Sequence, residues 1–304
     1  MLMHTVLQGI RLFVCLLLAV GAMAVDSTAG EIHLAIHEDR SDDAIKMLAE
    51  NPRLIRERDH QQNKPLHIAA LKGATNVITA LLAKGAEVNS RNKFGQTPLH
   101  RAMIAGDLKT VELLVSAKAE ISGRDNQGLT PVHLAAQRKH GKVVQFLLKH
   151  GAEFDAHDAF RRRPLHMSIM GSSDESMRAL IKAGADYKYV DAEKNNYLHL
   201  AAGGGSPALV TILLELNLGV NSTNSSLFTP AHFAAQNGHW EVLAVLDKWG
   251  GDFNLRTSNK RTPLDLVSRI RPPFRMQRHD EVQDYLEKWH ARQTNGAPKT
   301  VAQP

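Results

Sequence analysis

Six histidines stand 33 residues apart, at His67, His100, His133, His166, His199 and His232. Imidazole is the side chain best suited to hold a transition metal or to move a proton near neutral pH. A shared metal fails on distance. Zinc keeps nitrogen donors at about 2.0–2.1 Å, whereas elements repeated once per unit are set about 8–10 Å apart by helix packing. The better role for each imidazole is at a helix start, bonded to turn backbone groups that would otherwise go unpaired. Nor does catalysis find its parts. There is no Gly-x-Ser-x-Gly elbow, and the one cysteine, Cys15, lies in an apolar leader. Gly203-Gly204-Gly205-Ser206 lacks the strand and lysine of a phosphate loop. The acidic pairs Asp42-Asp43 and Asp174-Glu175 suit helix starts, where they favour the macrodipole. No catalytic, cofactor-binding or metal-binding residue is assigned, and no cofactor is expected.

The elements that position the histidines follow from other columns with the same interval. Small residues recur at Ala69, Ala102, Ala135, Ser168, Ala201 and Ala234. Apolar residues recur at Ile78, Val111, Val144, Met177, Val210 and Leu243, and leucine at Leu81, Leu114, Leu147, Leu180, Leu213 and Leu246. The last two columns are three residues apart, as one buried helix face requires. Proline occupies the first turn of the first helix at Pro65, Pro98, Pro131, Pro164, Pro230 and Pro263, where its missing N–H costs nothing. Glycine at 85, 151, 184 and 250, with Asn217 in the sixth unit, predicts left-handed closure of the second helix. Lys118 is the exception in that column. Each unit therefore reads as turn, helix, helix and loop, repeated because one short unit cannot bury its own core.

Thr97-Pro98-Leu99-His100-Arg101-Ala102 and Thr130-Pro131-Val132-His133-Leu134-Ala135 resemble the Thr-Pro-Leu-His-x-Ala signature of the ankyrin repeat. The resemblance covers about residues 31–290. It implies an all-α solenoid of about eight helix-turn-helix units, with hairpin-like turns projecting to one side and a role in binding other proteins. Four segments are expected: a secretory signal peptide (1–24), a linker (25–30), the array with capping units at both ends (31–290), and a flexible tail (291–304). Departures from the pattern carry expectations too. Gly203-Gly204-Gly205 should loosen the first helix of unit six. In the last unit, which inserts Arg271-Pro272-Pro273-Phe274, Asp280 should cap the second helix and Trp240 and Trp249 should complete the core of the preceding unit.

The leader shows Arg11, an uninterrupted apolar run of 14 residues from Leu12 to Val25, and the small–x–small pattern Ala22-Met23-Ala24. It is short of the ~20 residues that span a bilayer and fits a cleaved signal. The expected location is exported, periplasmic or secreted, with no membrane span after cleavage. Removing Arg11 takes the 37 Lys+Arg to 36 against 31 Asp+Glu, leaving +5. That balance does not by itself imply nucleic acid, and the basic turns lack interleaved aromatic platforms.

Positions that vary from unit to unit on one side are available for recognition. The turn tips and first-helix ends supply the candidates Lys93, Phe94, Gln96, Arg138, Phe160, Arg161, Arg162, Phe228 and Arg261. Phe94, Phe160 and Phe228 either stand exposed as interface anchors or tuck between neighbouring turns as packing. Arg161-Arg162-Arg163 and Arg138-Lys139-His140 should project to the same side and suit an acidic patch on a protein partner. The reading is a non-catalytic, monomeric interaction module using its concave turn-and-helix face. A tethered envelope adaptor is the main rival, and an exported hydrolase the weaker one.

Overall fold

The computed structural model describes residues 30–270 and 276–294. The leader (1–24), most of the linker, the insertion at 271–274 and the tail from 295 lie outside the described residues. Among the described residues the chain forms 16 α-helices and one 3-10 helix, and Val190–Asn196 is an isolated β-bridge. The all-α expectation holds.

The helices come in eight pairs: α1 (Glu31–His37) with α2 (Ser41–Glu50), α3 (Pro65–Lys72) with α4 (Thr75–Ala83), α5 (Pro98–Ala105) with α6 (Leu108–Ser116), α7 (Pro131–Gln137) with α8 (Gly141–Lys149), α9 (Pro164–Met170) with α10 (Asp174–Lys182), α11 (Tyr197–Gly204) with α12 (Pro207–Glu215), α13 (Pro230–Asn237) with α14 (Trp240–Lys248), and α15 (Pro263–Ser268) with α16 (Gln277–Thr294). All but α16 are shorter than the ~12–15 residues an isolated helix needs in water, so packing must sustain them.

Two compact units divide the chain, one from Met1–Ala105 with Lys109–Ala119, the other from Gly106–Leu108 with Glu120–Pro304. In the first, α1, α3 and α5 lie side by side, and α2 packs on α4. In the second, the first helices α7, α9, α11, α13 and α15 form one layer and the second helices α8, α10, α12 and α14 another, with α16 against α13, α14 and α15. The apolar columns line these interiors: Ile78, Leu81, Val111 and Leu114 in one, and Val144, Leu147, Met177, Leu180, Val210, Leu213, Leu243 and Leu246 in the other, have no exposed surface. Each such side chain contributes about 1.5–3 kcal/mol by burial.

The closing column behaves as its residue types require. Gly85, Gly151, Gly184 and Gly250 have positive φ, as does Asn217 at 61°. Lys118 is forced into the same geometry at φ 69°. Lys118→Gly is therefore expected to stabilise the protein by about 0.5–1 kcal/mol net of the added unfolded-state freedom. A thermal melt checks this, and an unchanged or lower Tm would show that the lysine carries no strain.

Four expectations need correction. The glycine run does not loosen unit six: α11 runs to Gly204, Gly205 closes it at φ 75°, and a Cβ there would meet the His239 ring. Asp280 is not a cap, because α16 begins at Gln277 and places Asp280 in its first turn. The same helix continues to Thr294, beyond the expected end of the array. Trp240 does not finish the core. It is 38% exposed, with Tyr285 beside it at 6.3 Å, whereas Phe253 and Trp289 pack together at 4.9 Å inside.

Candidate partner-binding surface

The periodic histidines lock each turn to the helix it precedes. In His133, Nδ1 accepts the Thr130 N–H at 3.2 Å and the Thr130 hydroxyl at 2.8 Å, while Nε2 donates to the Arg162 carbonyl at 3.2 Å. His67 repeats this with the Lys64 N–H and Gln96 carbonyl, and His232 with the Thr229 N–H and Arg261 carbonyl. Each of these imidazoles is thus a neutral Nε2–H tautomer tying its own helix start to the next turn. Burial, foremost, pulls His67, His133 and His232 down to about 4. Asp265 does half of the same job in the last unit, its carboxylate accepting the Thr262 N–H at 2.9 Å and hydroxyl at 3.0 Å.

A second column shapes the tips. Asp59, Asn92, Asp125, Asp158, Asp191 and Asn224 each accept, through one side-chain oxygen, the N–H groups two and four residues ahead at 2.8–3.0 Å. These side chains mimic a backbone turn. Sequence reasoning missed this role. Their signal was the unbroken Asp/Asn identity at one interval. A third column, Arg58, Arg91, Arg124 and Arg256, donates to carbonyls of its own turn at Gln62, Gly95, Gly128 and Lys260.

Against this scaffold the candidate residues separate. In the first unit, Phe94 is 43% exposed and Lys93 is exposed beside it. Gln96 is engaged within the fold, its carbonyl accepting from His67 and its amide oxygen from Arg101 at 3.4 Å. In the second unit, Phe160 is 61% exposed, the most of any large apolar side chain among the described residues. Its backbone N–H is held by Asp158 at 2.9 Å, and the Arg162 guanidinium lies 4.8 Å from its ring centre.

The three consecutive arginines have three different roles. Arg161 is exposed, in left-handed backbone at φ 60°. Arg162 turns inward to a fully buried Asp158 side chain, with N···O distances of 2.7 Å from both Nε and a terminal nitrogen. Arg163 lies over Tyr189 at 4.7 Å and faces Asp186 at 3.5 Å and Asp155 at 3.7 Å. Two of these three charges are thus already matched by carboxylates within the fold. Arg138 closes α7 half-buried, and burial lowers its guanidinium. Among the described residues it meets no carboxylate.

Phe228 takes the packing alternative. Its ring sits 5.5 Å from His232 and 5.9 Å from Phe233, and its carbonyl accepts from His199 at 3.1 Å. The reason is register. Phe94 and Phe160 share one column of the 33-residue interval, but Phe228 belongs to the column two residues later, with Gln96, Arg162 and Arg261. The tip itself is taken by Leu227, 47% exposed. Arg261 is half-buried, its carbonyl accepting from His232 at 3.0 Å.

Known proteins with this pattern can now be compared. The family model described as "Ankyrin repeats (3 copies)" matches residues 2–92, 32–125, 66–158 and 123–191. The crystal structure of the human ASB11 ankyrin repeat domain superposes with a TM-score of 0.63 at 25% identity, covering 73% of this chain and 98% of that one. The serine/threonine-protein kinase VIK of Arabidopsis thaliana is 36% identical over 61 residues, 20% of this chain and 14% of that protein. The probable E3 ubiquitin-protein ligase XBOS33 of Oryza sativa subsp. japonica is 60% identical over 35 residues, 12% of this chain and 7% of that protein. The chain spans under a sixth of the length of either curated relative.

Proposed function

Since the chain belongs to the ankyrin-repeat family, whose repeats are protein-interaction modules, we propose that it is a non-catalytic recognition module for a protein partner carrying acidic groups. The leader supports an exported, periplasmic or secreted setting, with the chain acting as a monomer. Phe160 carries the reading: a large apolar side chain stands 61% exposed on a turn pinned by Asp158 and Arg162. A preorganised aromatic anchor loses little freedom on binding, and such anchors dominate interface energetics. Arg138 supports the acidic character of the partner. Its half-buried guanidinium lacks a carboxylate among the described residues, so an incoming one would meet a partly desolvated charge.

The test compares three baits in affinity capture from the exported fraction: the natural chain, Phe160→Ala, and Lys142→Ala on α8. Phe160→Ala is expected to weaken the captured partner roughly thirtyfold, the scale of a hot-spot truncation. Its Tm should stay close to that of the natural chain, since an exposed side chain is removed. Lys142→Ala should capture normally. Undiminished capture by Phe160→Ala would overturn the reading. Arg162 is unsuitable for this test, because its loss would also break the ion pair with Asp158.

A further inference from the structure

The turn tips of the second unit carry a row of cations where the backbone favours glycine. One column of the 33-residue interval has positive φ in every turn: Gln62, Gly95, Gly128, Arg161, Lys194, Leu227 and Lys260. Glycine meets that demand at 95 and 128 without strain. Arg161 (φ 60°), Lys194 (φ 62°) and Lys260 (φ 58°) adopt it with side chains that rarely do. All three are exposed, and among the described residues none of them meets a carboxylate. Strain retained on an exposed side chain that meets no carboxylate among the described residues points to a use outside the fold.

The row is mixed rather than purely basic. Leu227, 47% exposed, occupies the place between Lys194 and Lys260. Glu193 is the one exposed carboxylate in the turns at residues 158–163, 191–196, 224–229 and 257–262, and the Asn195 amide donates to it at 3.4 Å. Backbone bonds join most successive tips: Ala159 N–H to the Gln127 carbonyl at 2.8 Å, Ser225 N–H to the Glu193 carbonyl at 2.9 Å, and Ser258 N–H to the Ser226 carbonyl at 3.0 Å. Among the described residues no such bond joins the turn at 158–163 to that at 191–196. The tips at Lys194, Leu227 and Lys260 are therefore tied in series, and Arg161 stands on the preceding unit of the same stack, at the spacing of about 8–10 Å that helix packing sets.

A polypeptide in the polyproline II conformation has three residues per turn and rises about 3.1 Å per residue, so every third side chain returns to one face after roughly 9 Å. We infer that the tips Arg161, Lys194, Leu227 and Lys260 bind an acidic, proline-rich extended segment of the partner, with every third residue facing a tip in the order acidic, acidic, apolar, acidic. This rests on the protein-binding reading and supplies its substrate class. A protein segment fits better than a nucleic acid because the third place is apolar.

The probe is a fluorescent peptide, Glu-Pro-Pro-Glu-Pro-Pro-Leu-Pro-Pro-Glu, titrated into the full chain at low ionic strength with anisotropy as the readout. A peptide of the same composition with its glutamates contiguous serves as control, together with a single-stranded thymidine oligonucleotide. The spaced peptide is expected to bind, and the contiguous one to bind about tenfold more weakly, three exposed ion pairs being of that combined scale. The variant Arg161→Gly/Lys194→Gly/Lys260→Gly should lose the peptide by a similar factor while its Tm stays level or rises, since glycine suits the geometry. Loss of binding through misfolding would lower Tm, so the two causes separate. Equal binding of both peptides, stronger binding of the oligonucleotide, or full binding by the triple variant would overturn the inference. In partner capture, retention by the triple variant with loss by Phe160→Ala sinks this row alone. Retention by both variants sinks the protein-binding reading as well.

Discussion

Lowering the pH from 7.5 to 5 is expected to reduce the Tm by roughly 10–20 °C, well before the carboxylates titrate. His67, His133 and His232 are fully buried, and burial is the first cause that brings each down to about 4. Geometry requires the same direction. Nδ1 of each accepts a backbone N–H, so a second ring proton would face a donor and break the link to the helix start. In the unfolded chain these rings titrate near 6.5. Between 6.5 and 4 the unfolded state takes up protons that the folded state refuses, so stability is complete above 6.5 and falls as pH drops toward 4. At pH 5 each ring accounts for about 2 kcal/mol of that loss. His33, His166 and His199, also lowered by burial, act in the same direction. Asp265, held down by the Thr262 N–H, loses its contribution only below the ordinary carboxylate range. Thermal melts across the two pH values decide the matter. Equal Tm at both would mean that the rings are not buried neutral.

Much of this was legible in the sequence because stacking makes the same demand in every unit. The leucine, small-residue, proline and cap columns each report a constraint that a neighbour imposes, and repetition turns a weak local signal into a register. Even the substitution of Asp265 for histidine keeps the hydrogen-bond acceptor that the position needs. The tips were less legible, for a physical reason. There, the chain turns from solvent into the fold within a few residues, exposed at Phe160 and Arg161 and half-buried at Arg162, so an offset of two residues reverses a residue's role. Phe228 was grouped with Phe94 and Phe160 by residue type, although its column packs inward. Arg161, Arg162 and Arg163 are adjacent and chemically alike, yet only the fold separates the strained exposed one from the two that meet carboxylates. Trp240 and Asp280 sit in or beside the pair α15 and α16, whose 18-residue second helix departs from the repeated pattern that made the others readable.

Asp158→Ala is expected to destabilise the protein by about 3–4 kcal/mol, the largest single effect at the candidate surface. One carboxylate there accepts the N–H groups of Phe160 at 2.9 Å and Arg162 at 2.8 Å through Oδ1, and the Arg162 side chain through Oδ2 at 2.7 Å. The Asp158 side chain is wholly buried and that of Arg162 is 19% exposed, so alanine leaves two backbone donors and a mostly buried cation without their acceptor. Asp158→Asn should be much milder, because Asn92 and Asn224 hold the same place and serve both N–H groups through the amide oxygen. What asparagine cannot restore is the charge opposite Arg162. The pair of variants thus separates turn geometry from ion pairing. Denaturant melts should rank the natural chain first, then Asp158→Asn, then Asp158→Ala. Capture through Phe160 should follow the same order, since the ring is aimed by this turn and overlaid by the Arg162 guanidinium. If Asp158→Ala melted with the natural chain, the side-chain-held turn would not be what rigidifies the tip, and the preorganisation assigned to Phe160 would have no source.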